Sequence, residues 1–138
     1  MLKIIKNAFY LTITIMCALQ AFGCNRNENI ISVSAPEFNE AIKTDSVKLL
    51  DVRTPQEYME GHIDGAININ VQSDDFKCIA EKELSKESTV LVYCRSGRRS
   101  MDAAEILAQL GYKVVNLHGG IIEWKNNELP VITIQTLK

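Results

Sequence analysis

The run Thr89-Val90-Leu91-Val92-Tyr93-Cys94-Arg95-Ser96-Gly97-Arg98-Arg99-Ser100 decides how this chain folds. Its first five residues are apolar or β-branched with no polar alternation, the pattern of a strand buried on both faces. A helix follows from about Arg98 to Leu110, with Gly111 as its C-terminal stop. Between strand and helix lies a tight loop that starts with a cysteine. Ligands of open α/β sheets bind outside the carboxyl ends of the strands, which is where this loop must lie. A tight turn at a helix N-terminus aims successive backbone N–H groups inward and makes an anion nest. Gly97 lets the backbone make that turn without steric cost. A thiol centred there, beside Arg95, Arg98 and Arg99, is favoured as the reactive thiolate. A structural cysteine at a strand end would leave the two arginines and the glycine behind it unexplained.

Outward from this run, strands and helices alternate. Ile30 to Val33 reads as a first strand, and Ser34-Ala35-Pro36-Glu37 as a helix start with a cap, a first-turn proline and capping-box spacing. Phe38, Ala41 and Ile42 supply that helix's buried stripe. Val47 to Val52 reads as a strand ending in charge at Asp51 and Arg53, and Thr54-Pro55-Gln56-Glu57 opens a second helix by the same logic. Further strands are expected over Ala66 to Val71 and Lys113 to Leu117, with helices over Phe76 to Leu84 and Gly120 to Asn126. The alternation implies one α/β domain over 30–138: an open parallel sheet flanked by helices on both faces. Neither internal repeats nor low-complexity segments occur.

The N-terminus reads separately. Lys3 and Lys6 precede an apolar stretch from Ala8 to Phe22, and Ala21-Phe22-Gly23-Cys24 sets a small residue before a cysteine. This is the layout of a secretory signal over 1–23. It resembles a bacterial lipoprotein leader, in which the cysteine, here Cys24, is acylated and becomes the new N-terminus. Ala21 and Phe22 depart from the leucine and small residue usual at those positions. Residues 24–29 then hold the lipid attachment and a polar tether. The apolar stretch of 15 residues, broken by Thr12, Thr14 and Gln20, is shorter than the roughly 20 that span a bilayer. A plain cleaved signal and an uncleaved anchor are the alternatives, and all three send the domain out of the cytoplasm. The expected location is the bacterial cell envelope, with the membrane reached through the lipid.

Composition narrows the function. The 138-residue chain carries a formal charge of −2, and without Lys3 and Lys6 its 15 basic residues become 13 against 17 acidic. With no basic run longer than Arg98-Arg99, nucleic acid is a poor partner. Cys17 leaves with the signal and Cys24 is blocked by lipid, so Cys78 and Cys94 remain as thiols. His62, His118 and these cysteines lack metal-ligand spacing, and no cofactor signature is present.

The segment Tyr93 to Ser100, with Ala103-Ala104, Leu107, Leu110-Gly111-Tyr112, Val115, Leu117, Gly119-Gly120-Ile121 and Trp124, resembles the catalytic half of single-domain rhodaneses. Leu50-Asp51-Val52-Arg53, Glu57-Tyr58 and Gly61 to Asn68 match that family's other characteristic segment, so the resemblance covers roughly residues 32–128. It implies a sulfurtransferase in which Cys94 carries sulfur as a persulfide. The family's sulfur-transferring loops span six residues from the cysteine, whereas its phosphatase relatives have seven closed by arginine. Here Arg99 is the sixth residue and Ser100 follows it. Arg95, Ser96, Gly97, Arg98 and Arg99 are therefore the candidates to bind a small anionic sulfur donor, and the acceptor is a thiol, carried by a small molecule or a protein. Asp51 and Arg53 are expected to brace neighbouring loops by ion pairing, with Ser100 also in support. Glu57 and Tyr58 read as helix-surface and packing residues, His62 as a structural histidine, His118 as a rim residue and Trp124 as core. Two other readings remain: a non-catalytic binding module on the same fold, and a thiol-redox or persulfide relay that uses Cys78 as resolving thiol.

Overall fold

The computed structural model describes residues 27–134. The signal segment, Cys24 and the first tether residues lie outside them. In chain order the elements are β1 (Ile30–Val33), α1 (Ala35–Ile42), β2 (Val47–Asp51), α2 (Pro55–Glu60), β3 (Ile67–Asn68), α3 (Phe76–Glu83), β4 (Thr89–Tyr93), α4 (Arg98–Gln109), β5 (Val114–Leu117) and α5 (Gly120–Asn126). The sheet has the order β1-β5-β4-β2-β3, and every pairing is parallel. Among the described residues no helix is long and apolar enough to cross a membrane.

β4 is central, in register with β2 from Val47↔Thr89 to Asp51↔Tyr93 and with β5 from Val90↔Val114 to Val92↔Asn116. Successive strand residues point to opposite faces, and both faces are covered. Val90 and Val92, with Leu50 and Val52, pack beneath α3 and α4 against Phe76, Ala104 and Leu107. Leu91 and Tyr93, with Leu49 and Leu117, pack against Phe38 of α1 and Trp124 of α5. This is why the β4 run shows no alternation. Each such valine or leucine contributes about 1.5–3 kcal/mol by leaving water.

The helix starts follow their caps. The Glu37 carboxylate accepts from the Ser34 amide at 2.9 Å, and that of Glu57 accepts from the Thr54 amide at 3.0 Å. Of the expected α1 stripe, Phe38 is fully buried while Ala41 and Ile42 are half-buried. The strand expected over Ala66 to Val71 is shorter. β3 has two residues, and the Asn68 side chain donates to the carbonyls of Asp51 and Arg53 at 3.1 and 2.8 Å where the ladder ends. The chain beyond still touches β2 through Ile69 N to Asp51 O and Val71 N to Val52 O before it turns away.

Candidate active site

Strand β4 delivers Cys94 to the carboxyl edge of the sheet, where it is only 1% exposed. The loop then turns under it, and the Gly97 N–H donates to Cys94 Sγ at 3.1 Å. Gly97 has φ +101°, the left-handed region that favours glycine, and a Cβ there would lie 1.9 Å from the His118 carbonyl oxygen. Ser100, fully buried in the first turn of α4, donates from its hydroxyl to the Gly97 carbonyl at 3.1 Å. It fastens the turn to the helix.

The loop's outer carbonyls are held by a second helix. The Ile121 amide of α5 donates to Cys94 O at 2.9 Å, and the Ile122 amide to Arg95 O at 3.2 Å. The intervening turn fits as bare backbone: a Cβ on Gly120, where φ is +63°, would fall 2.4 Å from the Arg95 carbonyl. His118 is exposed as a side chain, while its main chain forms part of this wall.

The other side is held by charge. Arg53 donates from Nε to both oxygens of Asp51 at 3.0 and 3.1 Å and from a terminal nitrogen at 2.6 Å; it also reaches the Gly61 carbonyl at 2.7 Å. Both side chains are buried. Burial opposes the Arg53 charge, but Asp51 outweighs it and holds the guanidinium above its ordinary value. Burial and then the Asp51 charge push the neighbouring Tyr93 phenol upward. The Tyr93 hydroxyl accepts from the Ile63 amide at 3.0 Å. His62 is buried, stacked on Tyr58 and bonded through Nδ1 to the Tyr58 carbonyl at 2.7 Å.

Arg99 turns to Glu57, with two parallel contacts of 2.8 Å to the carboxylate oxygens. The arginine holds the Glu57 carboxyl down to about 2. Sequence reasoning placed Glu57 on a helix surface and missed this pair, because the partners are 42 residues apart and the capping box already accounts for a glutamate there. Arg95 and Arg98 are exposed and unpaired by any ion bridge among the described residues. With Arg99, Ser96 and Gln72 they line a cleft of about 560 Å³. Arg95 also borders a second cleft of about 270 Å³, with Arg53, Gly61, Ile121 and Ile122. Of the five loop candidates, Gly97 meets the sulfur through its amide, Arg95, Ser96 and Arg98 open onto the cleft, and the Arg99 side chain turns to Glu57. Cys78 is exposed on α3, and both it and Cys94 are free.

The family description of the rhodanese-like domain matches residues 34–127. The chain belongs to the rhodanese-like family. A protein named sulfurtransferase from Allochromatium vinosum is 40% identical over 90 residues, covering 64% of this chain and 81% of the relative. The thiosulfate sulfurtransferase PspE of Escherichia coli is 43% identical over 72 residues, covering 52% and 68%. Among solved structures, a rhodanese-related protein from Thermoplasma volcanium superposes with a TM-score of 0.66 at 34% identity, covering 76% of this chain and 99% of that one. The rhodanese-like fold, with its five-stranded parallel sheet between two helical layers, is shared with that structure.

Proposed function

We propose that this rhodanese-like protein is a sulfurtransferase that moves sulfane sulfur from thiosulfate or a persulfide to a thiol acceptor through a persulfide on Cys94. The carrying observation is the Gly97 amide donating to Cys94 Sγ inside a loop whose carbonyls are turned to α5. The relatives named sulfurtransferases support the reaction class.

In the first step the Cys94 thiolate attacks the outer sulfur of thiosulfate. The sulfur–sulfur bond breaks, sulfite leaves with its electron pair, and Cys94 retains the sulfur as a persulfide anion. Loop amides stabilise that negative sulfur. In the second step an acceptor thiolate takes the terminal sulfur and returns the Cys94 thiolate. Arg95 and Arg98, exposed beside the loop, draw in the anionic donor, while Arg99 and Glu57, like Asp51 and Arg53, hold the walls. Thiosulfate incubation is expected to add the mass of one sulfur atom to the wild type and nothing to Cys94→Ser. Cyanide-accepting activity that survives in Cys94→Ser overturns the reading.

For location, the basic start, the apolar stretch to Phe22 and the Gly23-Cys24 pair support export and anchoring in a bacterial cell envelope through acylated Cys24. The mature N-terminus decides this: an acylated Cys24 supports the anchor, and a chain that begins at Met1 defeats it.

A further inference from the structure

We infer that Glu123 is a positioning residue for the chemistry of Cys94, acting through the Gly119-Gly120 turn. This rests on the sulfur-transfer reading above. The peptide unit is planar and trans, so a carbonyl and the N–H that follows it point in opposite directions. With the Cys94 and Arg95 carbonyls bound by Ile121 N and Ile122 N, the N–H groups of Arg95 and Ser96 must turn away from α5. That leaves them for the inner side of the loop, where a persulfide needs donors. The orientation of the nest is therefore imposed by another helix.

The imposition is only as firm as the turn that starts α5. That turn cannot cap itself with a side chain, because its N-cap is Gly119. Glu123 does so from within the first turn. Its Oε2 accepts from the Gly119 amide at 2.9 Å, and its Oε1 accepts from the Ala35 amide at 3.0 Å. One carboxylate thus ties the start of α5 to the start of α1, 88 residues earlier in the chain. The turn meets the loop without slack, since a Cβ on Gly120 would lie 2.4 Å from Arg95 C and 2.6 Å from Ser96 N. Motion at Gly119 therefore passes to the peptides around Cys94. Glu123 lines neither cleft, and its carboxylate bonds to the Gly119 and Ala35 amides rather than to the Cys94 loop.

The test uses the full chain with Glu123→Ala and Glu123→Gln, each compared with wild type for thermal stability, thiosulfate kinetics, alkylation of Cys94 by iodoacetamide at one neutral pH, and hydrogen exchange at the Arg95 and Ser96 amides. Glu123→Ala is expected to lower kcat about tenfold, less than removing a preorganised donor outright. KM for thiosulfate should stay within about twofold, because the arginines are untouched. Alkylation slows and the two loop amides exchange faster. Glu123→Gln, which keeps one acceptor oxygen, falls between. A residue that only added stability would lower the melting temperature and leave the folded protein's kcat, alkylation and loop exchange alone, and that result overturns the inference. Should Glu123→Ala fail to fold, Glu123→Gln decides by the same criteria: intermediate values support the role, wild-type values overturn it. A wild type that accepts no sulfur defeats the sulfurtransferase reading instead, while alkylation and exchange still report on Glu123.

Discussion

The two walls of the Cys94 loop are built from different materials. On the β2 side, Asp51, Arg53, Glu57 and Arg99 form two ion pairs, one buried and one partly exposed. On the β5 side, His118 to Ile122 hold the loop with main chain alone, through two amide-to-carbonyl bonds and glycines that leave no room for a side chain. Charged side chains adjust to one another over a few tenths of an ångström, whereas abutting backbones do not. The charged wall should therefore govern stability and its pH dependence, and the backbone wall the shape of the nest.

The largest expected effect breaks the charged wall at its buried point. Asp51→Asn leaves Arg53 enclosed without a counter-charge, which costs about 3–5 kcal/mol. Chemical denaturation measures it, and a loss below about 1 kcal/mol would mean the pair is not dry. Next, Gly120→Ala tests the backbone wall. Strain at φ +63° together with the overlap on Arg95 is expected to cost about 1–3 kcal/mol and to remove most sulfur transfer from the molecules that still fold. Normal kcat in this variant would show that the two walls are equally compliant.

A smaller effect belongs to Glu57→Gln, which weakens a partly exposed bidentate pair by about 1 kcal/mol at neutral pH. The sign follows from the carboxyl lying at about 2 in the fold against an ordinary 4.5. The stabilisation is fully present above about 4.5 and is lost as pH falls through about 2, so wild type and variant converge in acid. A gap that stays constant down to pH 2 would remove Arg99 as the cause. The smallest stability change is expected for Arg95→Ala, within about 0.5 kcal/mol, because the side chain is exposed. Its effect is on recognition instead: KM for thiosulfate rises more than kcat falls, and a neutral persulfide donor is less affected. Equal losses with both donors would make Arg95 part of the loop's frame.

Much of this was legible in the residues themselves. The β4 run, the Ser34 and Thr54 caps and the short loop from Cys94 to Arg99 are signals spread over a few neighbours, and strand burial, helix starts and loop length depend on just those neighbours. The Asp51–Arg53 pair, expected from the family resemblance, is likewise a contact between residues two apart. Tertiary structure alone decided that Arg99 faces Glu57, that Asn68 reaches the Arg53 carbonyl where β3 ends, and that Glu123 spans to Ala35. These depend on which chain ends the parallel sheet gathers at one edge, so no local pattern carries them. The two glycines after His118 show the division most sharply. Sequence marks a turn there, but at Gly120 the reason for glycine is the carbonyl of Arg95 lying 2.4 Å from where a side chain would begin, and at Gly119 it is the Glu123 side chain at 2.6 Å; only packing β5 beside β4 brings the Arg95 carbonyl near.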